Sequence, residues 1–156
     1  MAISAAPGSD AGIRTYLDSL GLPGIIDLHV HFMPQNVLDK VWAFFDRVAE
    51  SGAPAWTINY REAEEERVRA LRTMGVKAFT TLNYAHRPGM AAWLNDYSTA
   101  FASTHADAIH SATFYPEPGV EALVARSLEQ GARIFKVHIQ VGGFSPLDPR
   151  LAPAWD

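Results

Sequence analysis

The sequence predicts an α/β fold in which parallel strands alternate with helices. Four short apolar segments have the pattern of strands, and helical segments long enough to cross back over a sheet separate them. Parallel strands need crossovers of this kind, and the crossovers are right-handed. The 48% hydrophobic content and 19% charged residues are typical of a folded globular protein. We therefore expect successive βα units around one core.

The first elements are a helix, a strand and a second helix. Apolar residues at helical spacing predict a helix over residues 10–20, with Gly21 as its left-handed C-cap. Residues 24–31 are short, apolar and rich in isoleucine, which predicts a buried strand. Asn36 is the expected N-cap of the next helix, which should end near Gly52. Its expected apolar face consists of Val37, Val41, Phe44, Phe45 and Val48.

The rest of the chain continues this alternation. A helix is expected from Arg61 to Met74. The later strands are predicted at residues 76–83, 108–115 and 133–141, and the helices between them at residues 88–104 and 119–130. No repeat or low-complexity linker marks an internal boundary. Residues 1–23 are therefore assigned to an N-terminal helical extension and residues 24–156 to the βα domain.

Composition excludes several classes of function. There are no cysteines, which rules out thiolate metal sites, disulfides and cysteine nucleophiles. The net charge of -4 argues against a nucleic-acid partner, which would require a basic face. No apolar run reaches the roughly 18 residues of a membrane span, and the first residues lack the basic start of a signal peptide. These observations predict a cytoplasmic enzyme acting on a small molecule.

The strongest local signal is the pair His29 and His31 at the end of the first predicted strand. Residues two apart on a strand face the same way, so both imidazoles can converge on one point. A neutral imidazole nitrogen binds zinc and similar ions at about 2.0–2.1 Å. By itself the motif also fits two polar side chains hydrogen-bonded at a strand end. Its position at the C-terminal end of a strand, where βα barrels hold their sites, favours a metal site.

The residues around this pair resemble the amidohydrolase superfamily. The first-strand pattern of that superfamily, an Asp, an apolar residue and then His-x-His, stands here as residues 27–31, Asp-Leu-His-Val-His. The resemblance extends through residues 75–80, 112–118 and 131–138, so it covers most of the chain from Leu22 onward. Within the superfamily, the chain is similar to the amidohydrolase-related branch that includes aminocarboxymuconate-semialdehyde decarboxylase.

The resemblance implies a (β/α)₈ barrel of the TIM type, which usually needs about 250 residues. Residues 24–156 would then form its first half, a truncated half-barrel with about four parallel strands. It also implies one or two divalent ions, usually zinc, with His29 and His31 as ligands. A further histidine from a middle strand and a late aspartate are also implied, and most of these remaining ligands would lie past Asp156.

Two chemistries follow from the resemblance, and both stay open at this point. Metal-bound hydroxide near neutral pH implies hydrolysis of a small amide, ester or lactone. In the named branch, the same scaffold implies decarboxylation of a small unsaturated or aromatic acid. A fold alone does not choose between chemistries.

The fourth predicted strand carries a second signal, Lys136 and His138. The two polar residues alternate with Phe135 and Val137 and so share a face of the strand. In several branches of the superfamily a carbamylated lysine on this strand bridges two metals. Lys136 can take that role or contact an anionic substrate group as an ammonium ion. His138 can be a ligand or a proton-transfer group. The plainer alternative is that both side chains lie at a strand end and hydrogen-bond to neighbouring backbone.

His86 and Arg87 follow the second predicted strand, on a loop expected at the rim of the site. Together they can bind a substrate carboxylate, and a solvated loop pair explains them equally well. His105 and His110 are expected to be structural, the first near a helix end and the second early in a strand.

A third interpretation is a catalytically incomplete fragment. Four strands of an eight-stranded barrel would leave two unpaired edges, and exposed edges invite pairing with another chain. The sequence therefore also predicts a homo-oligomer, or aggregation through open sheet edges.

Overall fold

The computed structural model describes residues 6–155. The chain forms two compact units, one made of Met1–Asp27 and Gln35–Ala78 and the other of Leu28–Pro34 and Phe79–Asp156. In chain order the elements are α1 (Ile13–Ser19), β1 (Ile25–Asp27), α2 (Gln35–Asp46), α3 (Glu64–Thr73), β2 (Val76–Thr80), α4 (Ala91–Thr104), β3 (Ala108–Ile109), β4 (Ser111–Ala112), α5 (Val120–Glu129), β5 (Ile134–Phe135), α6 (Ile139–Gly142) and α7 (Ala152–Trp155). The predicted alternation of strands and helices is confirmed.

In the first unit, β1 lies beside β2. The Ile25 amide donates to the Gly75 carbonyl over 3.1 Å at the start of this contact. Gly24 makes the close approach possible, because a Cβ added there would stand 2.5 Å from the Gly75 oxygen. Its φ of 154° is also one that other residues rarely adopt. Glycine is therefore required immediately before the first strand.

Two predictions for α2 were wrong. Asn36 lies inside α2, which begins one residue earlier at Gln35, so it is not the N-cap. The Gln35 side chain donates to Asp39 over 2.8 Å, an i,i+4 pair that supports this first turn. Of the residues of α2 only Leu38 is buried, and Phe44, expected on the inner face, is 60% exposed.

The second unit contains short parallel strand pairs. The end of β2 pairs with β3, placing Phe79 beside Ala108, and β4 pairs with β5, placing Ser111 beside Ile134. The single strand predicted at residues 108–115 is therefore two strands separated at His110. The structure has five short strands where about four were expected, and within residues 6–155 they form small sheets and no closed barrel.

Side chains continue the hydrogen bonding where the strands end. The Thr81 amide donates to the Ser111 hydroxyl over 3.1 Å, and the Ser111 amide donates to the Thr81 hydroxyl over 3.2 Å. Asn95 of α4 accepts from the Thr113 amide over 2.8 Å and donates to the Thr113 carbonyl over 2.9 Å. These groups are buried, so each bond satisfies a backbone group that water does not reach.

Two apolar clusters pack the helices of the second unit against its strands. Phe32 is fully buried, and its ring lies 5.4 Å from Phe79 and 4.5 Å from Phe101 of α4. A second cluster is centred on Phe114, Val120 and Leu151. Aromatic pairs at these distances add stabilisation beyond the area they bury. The first cluster anchors the segment that carries the histidine pair.

The first and last strands are shorter in the structure than the sequence predicted. The strand predicted at residues 24–31 is β1, Ile25–Asp27, and the one predicted at residues 133–141 is β5, Ile134–Phe135. The chain turns into α6 after His138, whose Nδ1 accepts from the Val141 amide at 3.4 Å as an N-cap. Within the described residues no helix is both long and apolar enough to cross a membrane.

Candidate metal centre

The segment from Leu28 to Phe32 orients the histidine pair. The Val30 amide donates to the Thr80 hydroxyl over 3.1 Å, and the Val30 carbonyl accepts from the Leu82 amide over 2.9 Å. Because side chains alternate along an extended chain, the burial of Phe32 leaves His31 on the opposite face. The rings of His29 and His31 lie 5.2 Å apart, so the two imidazoles share that face as predicted.

Lys136, directly after β5, extends its side chain to the two imidazoles. Its amide donates to the Ala112 carbonyl over 2.9 Å, which fixes the base of the side chain at the end of the strand. Its Nζ lies 2.9 Å from Nε2 of His29 and 3.4 Å from Nε2 of His31. The structure thus brings together three of the residues singled out in the sequence, and both Nε2 atoms point at one position.

The Leu82 carbonyl assigns the tautomer of His31, and the positive charge of Lys136 assigns that of His29. Nδ1 of His31 lies 3.1 Å from the Leu82 carbonyl oxygen, which can only accept, so Nδ1 carries the hydrogen. As an ammonium ion Lys136 can only donate, so Nε2 of His29 and His31 present lone pairs to it. A ring nitrogen that donates to a backbone carbonyl while the other is free to bind is the usual arrangement of a metal-binding histidine.

Electrostatics keep His31 in its neutral form. Burial, followed by the charges of Lys136 and His29, lowers the pKa of His31 from 6.5 to about 4. Burial also lowers the pKa of the Lys136 ammonium below its ordinary value. His31 therefore offers a nitrogen lone pair throughout the neutral pH range, as a metal ligand must.

Tyr84 was missed in the sequence and forms one wall of the site. Its ring lies 5.7 Å from that of His31, edge to face, and 5.1 Å from that of His138. Nζ of Lys136 stands 6.0 Å from the centre of the same ring. Tyr84 thus connects His138 with the histidine pair. Its position directly after the second predicted strand, among rim residues, was the available signal.

The substrate-binding role expected of His86 and Arg87 stays a prediction. The side chains of His86 and Arg87 are exposed on the loop between β2 and α4, as expected, and neither hydrogen-bonds to the cluster among the described residues. The two histidines expected to be structural are buried. His105 stacks on Phe101 at 4.2 Å, and Nε2 of His110 lies 3.1 Å from the Thr99 hydroxyl.

The donor atoms at this position fit a divalent ion. Two imidazole lone pairs converge on one point, and the tautomer of His31 is set by a backbone carbonyl. Imidazole is a ligand that zinc and related ions favour. No group of three or more His, Asp or Glu side chains suited to one ion occurs in the part of the chain that the structure describes. The described residues therefore place two imidazoles, His29 and His31, at this position.

The comparison with protein families agrees with this geometry. A family model described as amidohydrolase matches residues 26–156, well over half of the chain. The chain belongs to the amidohydrolase family. No curated protein and no solved structure matched the chain.

Membership of the amidohydrolase family supports the superfamily assignment that was made from the histidine motif. The match begins at Ile26, one residue before the Asp-Leu-His-Val-His segment, and includes β5 with Lys136. It supports a metal-dependent function of the amidohydrolase superfamily and a relationship to the TIM-barrel fold. The reaction itself is a separate question.

Proposed function

We propose that this amidohydrolase-family protein is a metal-dependent hydrolase of a small amide, ester or lactone. One observation carries the proposal, the convergence of Nε2 of His29 and Nε2 of His31 on the position of the Lys136 amine. Such convergence is what a bound cation requires and what two unrelated surface histidines would lack. Zinc is the ion we propose, because the ligands are neutral nitrogens.

A divalent ion held there would supply Lewis acidity and would make a water molecule acidic enough to be a nucleophile near neutral pH. The residues around it then take distinct roles. His29 and His31 hold the ion, and the ammonium group of Lys136 binds an anionic group of the substrate. His138 moves a proton from its place beside Tyr84, where the rings are 5.1 Å apart.

The exposed rim loop supplies the proposed substrate contact. His86 and Arg87 lie on this loop, and a guanidinium group binds a carboxylate through two parallel hydrogen bonds. His86→Ala and Arg87→Ala should therefore raise KM for acidic substrates and leave metal content unchanged.

The likeness to the aminocarboxymuconate-semialdehyde decarboxylase branch supports a second candidate, decarboxylation of a small unsaturated or aromatic acid. The two reactions are distinguished by their products. Hydrolysis of a lactone or ester releases one proton per turnover near neutral pH, whereas decarboxylation releases carbon dioxide. A panel of lactones, esters and unsaturated acids, followed by both readouts, separates them, and hydrolysis of amides, which releases no net proton, is followed by the amine that is set free.

Metal analysis of the double variant His29→Ala/His31→Ala tests the proposal. Wild-type protein incubated with zinc and then desalted should retain metal, and the double variant should retain much less because both imidazole ligands are gone. His86→Ala is the matched control, since it removes an exposed histidine of the same protein and should keep the metal. Equal metal content and equal activity in the double variant and wild type would remove the metal-dependent hydrolase from consideration.

A further inference from the structure

We propose that Lys136 acts as an internal stand-in for the metal ion. In this inference, which rests on the proposed metal site, its ammonium group holds the two imidazoles in place before an ion binds. It must then leave when the ion arrives. Lys136 is therefore a competitor of the metal at this site and not one of its ligands.

The Lys136 amine contacts the same two nitrogen atoms that would bind an ion. Nζ lies within hydrogen-bonding distance of both Nε2 atoms, at 2.9 Å from His29 and 3.4 Å from His31. These lone pairs are the groups that would bind an ion, so the amine and the ion require the same donors. One Nε2 lone pair cannot accept from an ammonium and bind a metal at the same time.

The positive charge of Lys136 also opposes an ion at this position. An ammonium and a divalent cation a few ångströms apart repel strongly, and partial burial of Lys136 reduces the screening by water. The amine must move out when a metal ion binds. The backbone of Lys136 stays fixed, because its amide is bonded to the Ala112 carbonyl on β4. Only the flexible stem of the side chain has to move.

The aromatic ring of Tyr84 is close enough to bind the displaced ammonium group. Nζ already stands 6.0 Å from the centre of the Tyr84 ring, at the limit of an attractive cation–π contact. Movement toward the ring would keep the charge near the site, where it can bind the anionic group of a substrate. Lys136 would then hold the imidazoles when no metal ion is bound and bind the substrate when one is.

The opposite assignment makes the opposite prediction. If the Lys136 nitrogen were a ligand, as a free amine or as a carbamate, removing it would weaken metal binding. If the ammonium competes with the metal, removing its charge strengthens binding. The sign of the change in affinity therefore decides between the two.

The test measures zinc affinity by competition with a chromophoric chelator in wild type and in Lys136→Met. Methionine keeps a flexible apolar stem and lacks the charge, so we expect zinc to bind about tenfold more tightly or better. Lys136→Arg keeps the charge and should bind zinc no more tightly than wild type. Lys77→Met is the control for loss of an exposed lysine elsewhere and should leave the affinity unchanged. Weaker or equal binding by Lys136→Met overturns the inference.

A second measurement uses the unaltered chain, so it does not depend on how a variant folds. The chain has three lysines, Lys40, Lys77 and Lys136, and mass spectrometry can follow the reductive methylation of each. Zinc should speed the modification of Lys136 relative to the exposed Lys40 and Lys77, because the amine is released from the imidazoles. Slower or unchanged modification of Lys136 contradicts release. Absence of zinc binding in wild type and Lys136→Met alike overturns the inference and the proposed metal site together, whereas binding without these effects overturns the inference alone.

Discussion

His110 shows how one buried side chain can couple folding to pH. It is 9% exposed and separates β3 from β4, with Nε2 3.1 Å from the Thr99 hydroxyl. Burial lowers its pKa below the ordinary value of 6.5, against hydrogen bonds to the backbone of Gln130 and Gly131 that raise it. The folded protein therefore resists protonation of His110 more than the unfolded chain does.

This difference sets the direction of a pH effect on stability. Below pH 6.5 the unfolded chain takes up a proton at His110 that the folded protein still refuses. The free energy of unfolding should therefore fall as pH falls from 6.5 toward the lower pKa of the folded state. In His110→Gln this contribution is absent, so urea unfolding should show a smaller loss between about pH 7.5 and about pH 5.5. Equal losses in the two proteins would show that His110 does not contribute.

The contact between α4 and the chain after β4 depends on one amide side chain. Asn95 accepts from and donates to the backbone of Thr113, as the backbone of a neighbouring strand would, and also donates to the Ser127 hydroxyl over 3.0 Å. Because Asn95 and Thr113 are buried, no water can replace these bonds. A side chain of a helix thus makes the backbone hydrogen bonds that a neighbouring strand would otherwise make.

Replacement of Asn95 should accordingly be costly. Asn95→Ala leaves the amide and carbonyl of Thr113 buried without their partner, and we expect a loss of about 2–4 kcal/mol in the free energy of unfolding. Ser103→Ala is the control on the same helix, since the Ser103 hydroxyl is exposed and bonds only within α4, to the Ala100 carbonyl. Urea unfolding of both variants tests this. A loss below about 1 kcal/mol for Asn95→Ala would mean that the Asn95 amide is not needed there.

The sequence predicted which elements exist better than it predicted where they end. Apolar periodicity placed α4 and α5 close to their observed ranges, because helices are recognised from many residues at once. Strand ends depend on partners far along the chain. Residues after β2 and β4 bond to Ser111, Thr113 and Asn95 side chains, which no local pattern shows. The buried polar face of α4 was likewise invisible, since periodicity identifies apolar faces only.

Across the whole molecule, the histidine pair could be predicted and the lysine contact could not. His29 and His31 are two residues apart, so the alternation of side chains along an extended segment is enough to place them on one face. Lys136 lies more than a hundred positions later, and its approach to His29 at 2.9 Å depends on how the strands pair. Strand-end position indicated that Lys136 belonged near the site, and the structure supplied its contact atoms.

We predict that exposed apolar side chains beside the site promote self-association of the chain. Leu28, on the segment that carries the histidines, is 59% exposed, and open sheet edges add unpaired backbone groups that another copy can bind. We expect light scattering at micromolar concentration to give a mass above that of the monomer. Leu28→Lys should reduce that mass, because a charge on an edge segment discourages strand pairing.

Leu147→Lys is the control for this prediction. Leu147 is 88% exposed on the loop before α7, away from any strand, so the same charge there should leave association unchanged. A clean monomer in the wild-type protein would contradict self-association. Equal effects of the two substitutions would indicate that general solubility, and not strand pairing, controls it.

The reciprocal hydrogen bonds between Thr81 and Ser111 set the register of the segment after β2 relative to β4. Each hydroxyl accepts from the amide of the other residue, so both bonds exist only when the two residues lie directly opposite each other. A slip by one position would place Leu82 or Thr80 against Ser111. Leu82 has no hydroxyl, and the Thr80 hydroxyl lies on the other side of the strand, where it accepts from the Val30 amide. Two small polar side chains thus keep β2 and β4, which lie in different sheets, from sliding past each other.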